Sequence, residues 1–543
     1  MNDGTPMRAT WNRILEWGWL PLYLLIVVIA LLTRPLMPVD ETRYVGVAWD
    51  MWQSGSWVVP LLNAEPYSHK PPLLFWLIHV GWALFGVNEI TPRLVGPAFA
   101  LGSLFLIRAV AARLFPAQST VATLAPWVLL GTVYWLGFAT MTMFDQLVVF
   151  FVLLGVLGLL ELGLNRRRGW LWLFLGTALG ALAKGPFALI YLVPLTVAAP
   201  WWAGVGLSWR WFLQAGIVGL VASSVALGWA LWAASLGGPV YADAILWGQL
   251  AGRAVDAFDH AEPIYYYLWV LPLLFLPWSL LLPGLIWRAW AANRGSGRGP
   301  GRSLWIEPRF GRLMLAWVAL PFVLLSLISG KLPHYLLPMI PALSLATAVL
   351  VVGAIEMGKQ VRTRTVAVLW FVLGLTLAVL PWVDGSRVVG LLPGWVSGLG
   401  LAMLLGSAWL WRTDEGRRQV MAVTLATGVG LILLHLALLP MRPAFDFKSF
   451  AADLGQLQRD GHPIGFVGKY RAEYHFYGRL AHPVAVLGGE ATVVPFCTGA
   501  PDGVVVQRLS GAVPPEAIAS TRFRSKHDVA LPCSAFLPTT GAA

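Results

Sequence analysis

The feature that most constrains this chain is the repetition of long apolar segments, separated by short loops that carry most of the charge. Hydropathy gives fourteen such segments before residue 441, over residues 15–33, 72–87, 94–113, 119–138, 145–164, 170–183, 187–201, 211–233, 266–288, 312–329, 335–354, 365–383, 390–411 and 420–440. With 58% hydrophobic and only 12% charged residues, a soluble protein of 543 residues could not bury this much apolar surface. The sequence therefore predicts a polytopic α-helical membrane protein.

The basic residues indicate how many segments cross the membrane. Fourteen alternating spans would put the Arg-rich stretches 165–169 and 293–302 outside, against the positive-inside rule. Segment 72–87 reaches only about 24 Å as a helix, less than the roughly 30 Å hydrocarbon core. Placing it as a helix on the outer face leaves about thirteen transmembrane helices and puts 20 of the 28 Lys and Arg residues before position 441 inside. The net charge of +12 follows from this topology and indicates no nucleic-acid partner.

The last hundred or so residues have a different pattern and are predicted to lie outside. The stretch "FKSFAADLGQLQRD" is typical of an amphipathic helix, and "HPIGFVGKY", "HPVAVLGG" and "DGVVVQRL" are typical of short buried strands. We therefore predict a transmembrane domain over 1–440, with a first outer loop at 34–93, and a small α/β domain over 441–543. Cys497 and Cys533 are the only cysteines, and in an oxidising compartment a disulfide worth about 3–4 kcal/mol is expected. Two free buried thiols are the alternative.

The predicted topology gathers unusual polar residues from five loops on the outer side. The candidates are Asp40, Glu41, Arg43, Tyr67, His69, Lys70, Asp145, Lys184, Arg253, His260, Glu262, Lys331, His334 and Tyr335. Asp40 and Asp145 matter most, because acids at membrane depth are rare unless a site needs them. Lys70 precedes two prolines that fix the backbone after it, and a rigidly held ammonium group suits a phosphate.

Some of these residues also have an ordinary structural explanation. Lys184 and Lys331 could be anchors at the ends of spans, and the tyrosines at 265–267 could form an interfacial aromatic belt. Basic side chains from several loops nevertheless favour an anion at the membrane surface, such as a lipid phosphate or pyrophosphate. The sequence contains no Walker loop and no dinucleotide-binding glycine motif, so a lipid-linked donor activated elsewhere fits better than a soluble nucleotide.

Six short motifs together resemble one known family. They are "DETRY" at 40–44, "YSHKPP" at 67–72, "MFDQL" at 143–147, "AKGP" at 183–186, "HAEPIYYY" at 260–267 and "GKLPHYLLP" at 330–338. The chain resembles, over essentially its whole length, the ArnT family of 4-amino-4-deoxy-L-arabinose lipid A transferases. These are protein O-mannosyltransferase-like GT-C glycosyltransferases. The resemblance implies a GT-C fold in the bacterial inner membrane, with the active site and the C-terminal domain facing the periplasm.

The resemblance also implies substrates and residue roles. The donor would be undecaprenyl phosphate carrying the amino sugar, and the acceptor would be a phosphate of lipid A. Asp40 matches an acid at the reacting centre, and Asp145 matches a second acid of the outer loops. Lys70 and Arg43 match groups that bind the donor phosphate, with Arg253 and Tyr335 as further members of that set.

One position departs from the family pattern. Members commonly have Glu immediately before the Lys, where this chain has His69. A divalent metal bound by His69 with His260 or Glu262 is therefore an open alternative, and no cofactor is otherwise expected.

Two other functions stay open. A related enzyme could move another polyprenyl-phosphate-linked sugar to a protein or a polysaccharide. A transporter of lipid-linked sugars is the alternative from a different class. Transporters usually show paired halves and a polar site at the middle of the bilayer, whereas here no duplication is visible and the acids lie at outer ends. That placement favours an enzyme.

Overall fold

The computed structural model describes residues 6–248, 261–295, 308–357, 363–383, 393–412 and 416–537. The α-helices are α1 (Pro6–Trp17), α2 (Trp19–Thr33), α3 (Asp40–Ser54), α4 (Leu73–Phe85), α5 (Ile90–Leu114), α6 (Ser119–Leu130), α7 (Val133–Phe138), α8 (Phe144–Gly163), α9 (Arg168–Lys184), α10 (Phe187–Val197), α11 (Ala199–Trp202), α12 (Trp209–Gly237), α13 (Pro239–Asp243), α14 (Tyr266–Leu274), α15 (Leu282–Gly295), α16 (Pro308–Met314), α17 (Leu320–Leu327), α18 (Ile340–Glu356), α19 (Arg364–Val379), α20 (Val396–Arg412), α21 (Gly416–Ala437), α22 (Lys448–Arg459), α23 (His475–Gly478) and α24 (Glu490–Gly499). The strands are β1 (Leu61–Leu62), β2 (Glu65–Pro66), β3 (Ile464–Val467), β4 (Ala485–Leu487), β5 (Val504–Leu509), β6 (Ala519–Phe523) and β7 (Lys526–Pro532). A multi-pass helical membrane protein with a C-terminal sheet, as predicted, is confirmed.

The helices that could span a membrane agree with the predicted segments at their ends. Within the described residues, seven helices are long and apolar enough to cross, or up to nine if each of two bent helix pairs counts as one span. The seven are Ile90–Leu114, Phe144–Gly163, Trp209–Gly237, Pro308–Leu327, Pro333–Glu356, Arg364–Trp382 and Gly416–Ala437. The predicted total of thirteen stays a prediction, because the remaining segments form shorter or broken helices.

Breaks within the helices explain why fewer than thirteen of the described helices are long enough to span a membrane. The predicted segment 119–138 becomes α6 and α7, separated at Gly131 and Thr132, and Tyr266–Leu274 meets Trp278–Arg288 at an angle of 104°. The segment 72–87 is the short apolar helix α4, whose 13 residues reach about 20 Å. Its placement on the membrane surface stays a prediction.

The described residues form two compact units. The first, called the helical unit, comprises Met1–Leu32, Leu94–Leu231 and Ala244–Ala437. The second, called the mixed unit, comprises Thr33–Arg93, Trp232–Asp243 and Leu438–Ala543. Within the mixed unit, α3 packs against α23, which groups residues of the first outer loop with C-terminal residues. The predicted domains 1–440 and 441–543 stay a prediction.

The C-terminal part of the mixed unit is a five-stranded mixed sheet in the order β4-β3-β5-β7-β6. Strands β4, β3 and β5 are parallel, whereas β7 pairs antiparallel with both β5 and β6. The sequence patterns predicted α22, β3, β4 and β5. They missed α24, β6 and β7; three of the five residues of β6 are polar, and β7 begins with Lys526, His527 and Asp528 before its apolar residues.

Alternation along β5 gives the sheet two buried faces. Val504 and Val506 pack with Phe450 and Leu454 of α22 on one face. Val505 packs on the other face with Val493 of α24 and with both cysteines. A sheet covered on both faces explains why its central strands are apolar runs without a polar side.

The two cysteines are joined. Cys497 lies in α24 and Cys533 follows β7, and they form a disulfide with a Cα–Cα distance of 5.1 Å. The bond links α24 to the end of β7, as the oxidising-compartment hypothesis predicted. Closing 36 residues of chain in this way is worth about 3–4 kcal/mol.

Candidate active site

In the mixed unit, Asp40 lies in the first turn of α3, where the helix dipole favours an acid. Its side chain is 55% exposed and forms an ion pair with Arg43, one turn further along the same helix. Arg43 is more buried, and its guanidinium lies 5.2 Å from the centre of the Tyr44 ring. Burial alone would lower the pKa of Arg43, but the neighbouring Tyr67, Tyr44 and Asp40 raise it overall. The result is an accessible carboxylate beside a firmly charged cation.

Glu41 has a different environment from Asp40. It is buried, accepts a hydrogen bond of 2.6 Å from Arg34 Nη1, and accepts another of 2.9 Å from the backbone N–H of Met37. These contacts fasten the start of α3 to the loop before it. These contacts indicate that Glu41 has a structural role.

The stretch that leads into α4 holds three further candidates. Tyr67 is buried and its backbone N–H donates to the carbonyl oxygen of Pro60 at 2.7 Å. His69 is exposed, and its ring centre lies 5.2 Å from that of Tyr67. Lys70 is half-buried and directly precedes the two prolines at the start of α4. In the mixed unit, therefore, the structure places Arg43 within electrostatic reach of both Asp40 and Tyr67.

In the helical unit, Asp145 and Lys184 form a buried ion pair. Lys184 Nζ donates to Asp145 Oδ1 at 2.6 Å, and each side chain is about 5% exposed or less. Asp145 lies in the first turn of α8, and Lys184 is the last residue of α9, so each charge lies at the helix end that favours it. Gly185, at a positive φ of 65°, and Pro186 end α9 at this residue. The interpretation of Lys184 as a snorkelling anchor is wrong for this environment, because its ammonium group is buried against a carboxylate.

Aromatic rings surround the ammonium group of Lys184. Its Nζ lies 5.0 Å from the centre of the Phe187 ring and 5.1 Å from that of Tyr335. His334 has its ring centre 5.1 Å from that of Tyr335. Tyr191 donates its hydroxyl to the carbonyl oxygen of Tyr335 at 2.5 Å. Four predicted residues, Asp145, Lys184, His334 and Tyr335, are thus brought together here.

Lys331 holds two loops of the helical unit together. Its Nζ donates to the carbonyl oxygens of Glu262 at 2.7 Å and Ile328 at 2.6 Å. Burial lowers the pKa of Lys331, and the charge of Glu262 only partly opposes this. The side chain is 3% exposed, so it does not extend toward an interface as an anchor would.

The chain is similar to several known proteins. The family model described as "Dolichyl-phosphate-mannose-protein mannosyltransferase" matches residues 69–229. A protein of Aeromonas salmonicida named "Undecaprenyl phosphate-alpha-4-amino-4-deoxy-L-arabinose arabinosyl transferase" is 30% identical over 413 residues, which is 73% of this chain and 71% of that protein. The chain belongs to this arabinosyl transferase family.

Other members and solved structures agree with this assignment. The relative from Pseudomonas fluorescens Pf-5 is 32% identical over 65% of this chain, and the match spans 62% of that protein's length. The match to the Erwinia tasmaniensis relative spans 57% of its length. The crystal structure of ArnT from Cupriavidus metallidurans in the apo state superposes with a TM-score of 0.73 at 20% identity, covering 96% of this chain and 99% of that one. The structure described as bound to undecaprenyl phosphate gives 0.71 and covers 98% and 99%. The GT-C fold predicted from the motifs is confirmed.

This chain departs from the family pattern at His69, and a metal ion bound there was the alternative considered above. That alternative stays a prediction. Among the described residues, no group of three or more His, Cys, Asp or Glu side chains could hold a metal ion. Two of the predicted residues, Arg253 and His260, lie outside the described residues.

Sequence reasoning missed several residues that the fold brings to these clusters. Phe187 lies against the ammonium group of Lys184 and Tyr191 donates to the carbonyl oxygen of Tyr335, but as aromatic residues in an apolar segment they resemble ordinary core residues. Asp50, an acid of the first outer loop, has nothing in its sequence context that indicates a partner. In the structure it contacts His475, which lies 425 positions away.

Proposed function

We propose that this chain transfers 4-amino-4-deoxy-L-arabinose from undecaprenyl phosphate to a phosphate of lipid A, at the periplasmic face of the bacterial inner membrane. The observation that carries the proposal is membership of a family whose curated members are named for that donor and sugar. The fold match to a structure described as bound to undecaprenyl phosphate supports it. In the reaction the bond between the sugar carbon and the donor phosphate oxygen breaks, a bond to an acceptor phosphate oxygen forms, and undecaprenyl phosphate leaves with the bonding electrons.

Asp40 has the environment that this reaction needs at its centre. A lipid A phosphate is already anionic near neutral pH, so it needs little help from a general base. An exposed carboxylate at a helix start can instead stabilise positive charge that develops on the sugar carbon, or steer the acceptor. The ion pair with Arg43 keeps this carboxylate oriented.

Arg43 and Lys70, the cationic side chains near Asp40 in the sequence, are proposed to bind the donor phosphate. Arg43 carries a permanently charged guanidinium group, and Lys70 is held by the prolines that follow it. Tyr335 and Arg253 are further members of this set. We propose that Asp145, paired with Lys184, is the second acid of the reaction.

Mass spectrometry of lipid A tests the proposal directly. The gene is expressed in cells that make the donor but lack their own transferase, and lipid A is compared with and without it. The wild-type chain should add one aminoarabinose mass, and Asp40→Asn should abolish the addition. Asp453→Asn, on the exposed face of α22, is the matched control and should behave as wild type. Unmodified lipid A with a folded wild-type protein would contradict the proposed substrate pair.

A protein acceptor is the second candidate, and the mannosyltransferase family model over residues 69–229 favours it. A serine or threonine hydroxyl must lose its proton on attack, so Asp40 would then act as a general base. A hydroxyl acceptor thus requires a proton acceptor, whereas an anionic phosphate acceptor makes no such demand. Glycoprotein analysis of the same cells, combined with a pH profile of turnover, separates the two acceptors.

A further inference from the structure

A buried polar network within the mixed unit joins α3 to the C-terminal residues. His475, at the start of α23, places Nδ1 2.7 Å from Asp50 Oδ1 and Nε2 3.1 Å from Asn63 Oδ1. Both members of the His475–Asp50 pair are buried, at 3% and 7% exposure of their side chains. This network contains none of the residues assigned to the proposed chemistry.

The hydrogen bonds fix where the protons lie. Asn63 Nδ2 donates to the carbonyl oxygen of Val484 at 2.9 Å, and Asn63 Oδ1 accepts from the backbone N–H of Val484 at 2.7 Å, which settles the orientation of the amide. The nitrogen of His475 that faces Asn63 Oδ1 must therefore be a donor. The other nitrogen faces a carboxylate oxygen. Both ring nitrogens of His475 thus have a polar partner, Asn63 on one side and Asp50 on the other.

Asp50 also holds the hairpin β1–β2. Its Oδ2 accepts from the backbone N–H groups of Asn63 at 2.6 Å and Ala64 at 3.4 Å. These two residues form the turn of the hairpin, and both have positive φ, 57° and 63°. A positive φ is unfavourable for alanine, so the turn needs the contacts that Asp50 and Val484 supply.

Further contacts run along α3 toward its N-terminal end. The Trp49 indole N–H donates to the carbonyl oxygen of Leu480 at 2.9 Å. A Cβ added at Gly46 would lie only 2.9 Å from the carbonyl oxygen of Ala472, so the backbones pack directly there. Asp40 lies ten residues before Asp50, which is about 15 Å along the helix. The position of Asp40 therefore depends on how firmly the C-terminal residues hold α3.

We propose that His475 is a positioning residue, which locks α3 and the β1–β2 hairpin to the C-terminal residues and so sets the place of Asp40. A buried polar pair adds little net stability over apolar residues of the same shape, but it enforces one arrangement of its partners. The C-terminal residues are thereby part of the proposed catalytic apparatus. The consequence for turnover rests on the proposed function, whereas the locking of α3 does not.

The test combines kinetics with hydrogen exchange on the full chain in detergent. The variants are His475→Ala, Asp50→Ala, the double variant, and His475→Gln, whose amide can still donate. His482→Ala, an exposed histidine of the same unit, is the matched control. We expect His475→Ala to lower kcat by about tenfold with little change in the donor KM, and the double variant to lose no more than Asp50→Ala alone. His475→Gln should recover much of the loss. Amides of residues 44–54 should exchange faster in His475→Ala, in Asp50→Ala and in the double variant, but not in His482→Ala.

The outcomes separate this inference from the proposed function. A wild-type chain that transfers no aminoarabinose would contradict the proposed function, and the exchange measurement alone would then decide whether His475 holds α3. Unchanged exchange and turnover in His475→Ala would overturn the positioning role. Additive losses in the double variant would overturn it too. If His475→Ala, His475→Gln and the double variant all fail to fold as monodisperse protein, the network is purely structural and the inference is also wrong.

Discussion

Helix α8 carries one buried carboxylate near each end, and the two are neutralised in different ways. Asp145, in the first turn, meets one cation, Lys184, and both side chains are buried. Glu161, near the other end, is 1% exposed and meets three arginines, Arg113, Arg166 and Arg168. Those three side chains are between 26% and 54% exposed.

The different partners of Asp145 and Glu161 indicate which end of α8 has a structural role. At Glu161 the cations outnumber the carboxylate and reach solvent, so the cluster fastens α5 and α9 to α8 without leaving a bare charge inside. At Asp145 the charges are matched one to one in an apolar setting, where burying an unpaired charge is costly. A pair of that kind, lined by aromatic rings, can respond to a bound ligand. We therefore expect the two ends to differ in stability and in turnover.

The largest effect is expected for Asp145→Asn. Removing the carboxylate leaves Lys184 buried without a counter-charge, which costs about 3–5 kcal/mol of unfolding free energy. Transfer should fall by about a hundredfold, or about 2.7 kcal/mol in the barrier. Both are measured on purified protein, by thermal unfolding in detergent and by transfer to lipid A.

The double variant Asp145→Asn with Lys184→Met separates the two effects. Replacing the cation by an apolar side chain of similar length removes the unpaired charge, so folding should recover. Transfer should not recover. If the double variant regained transfer, Asp145 would have no part in the reaction.

A smaller effect is expected for Glu161→Gln at the other end of the helix. The arginines left behind can be solvated, so the loss should be about 1.5–3 kcal/mol, the usual range for charge-assisted hydrogen bonds. Turnover per folded molecule should match wild type. A variant with unchanged Tm but lost turnover would assign function to this end and cancel the distinction.

This comparison also shows what the sequence could predict. The arginines near Glu161 were placed on the inner side by the positive-inside rule, because that rule acts on local composition. The acid of "MFDQL" was identified as unusual from its depth alone. The partner of that acid was not predicted, because Lys184 lies 39 positions away and its position at the end of α9 depends on packing.

The fold shows the same limit. Apolar runs gave the ends of the seven long helices, since length and hydropathy decide them locally. The grouping of α3 with the C-terminal residues was not predicted, because it depends on pairs such as Asp50 and His475 that are distant in the chain. Periodicity within a short window carries no information about such contacts.

A third and smaller effect is expected for the aromatic rings of Phe187 and Tyr335, which lie near the ammonium group of Lys184. Tyr335→Leu removes the ring that faces Lys184 Nζ, a cation–π contact worth about 1 kcal/mol, so turnover should fall by about fivefold more than in Tyr335→Phe. Tyr335→Phe removes only the hydroxyl and reports on the donor phosphate through KM. Equal losses in the two variants would mean that the ring does not support the ion pair.

The smallest effect is expected for Arg166→Ala, and it tests whether the three arginines at Glu161 are equivalent. Arg166 is 52% exposed and its Nη1 lies 3.3 Å from Glu161 Oε2, whereas Arg113 is 26% exposed and bonds through Nε to the other carboxylate oxygen. Solvent screens the more exposed pair, so Arg166→Ala should cost less than about 1 kcal/mol and Arg113→Ala more. Unfolding of both variants at low and high salt measures the difference between the two losses of stability, which should widen as salt rises because salt screens the more exposed Arg166 pair more strongly. If Arg166→Ala lost more stability than Arg113→Ala, the exposure of the arginine would not determine the strength of these ion pairs. The excess of cations at this end would then itself be required.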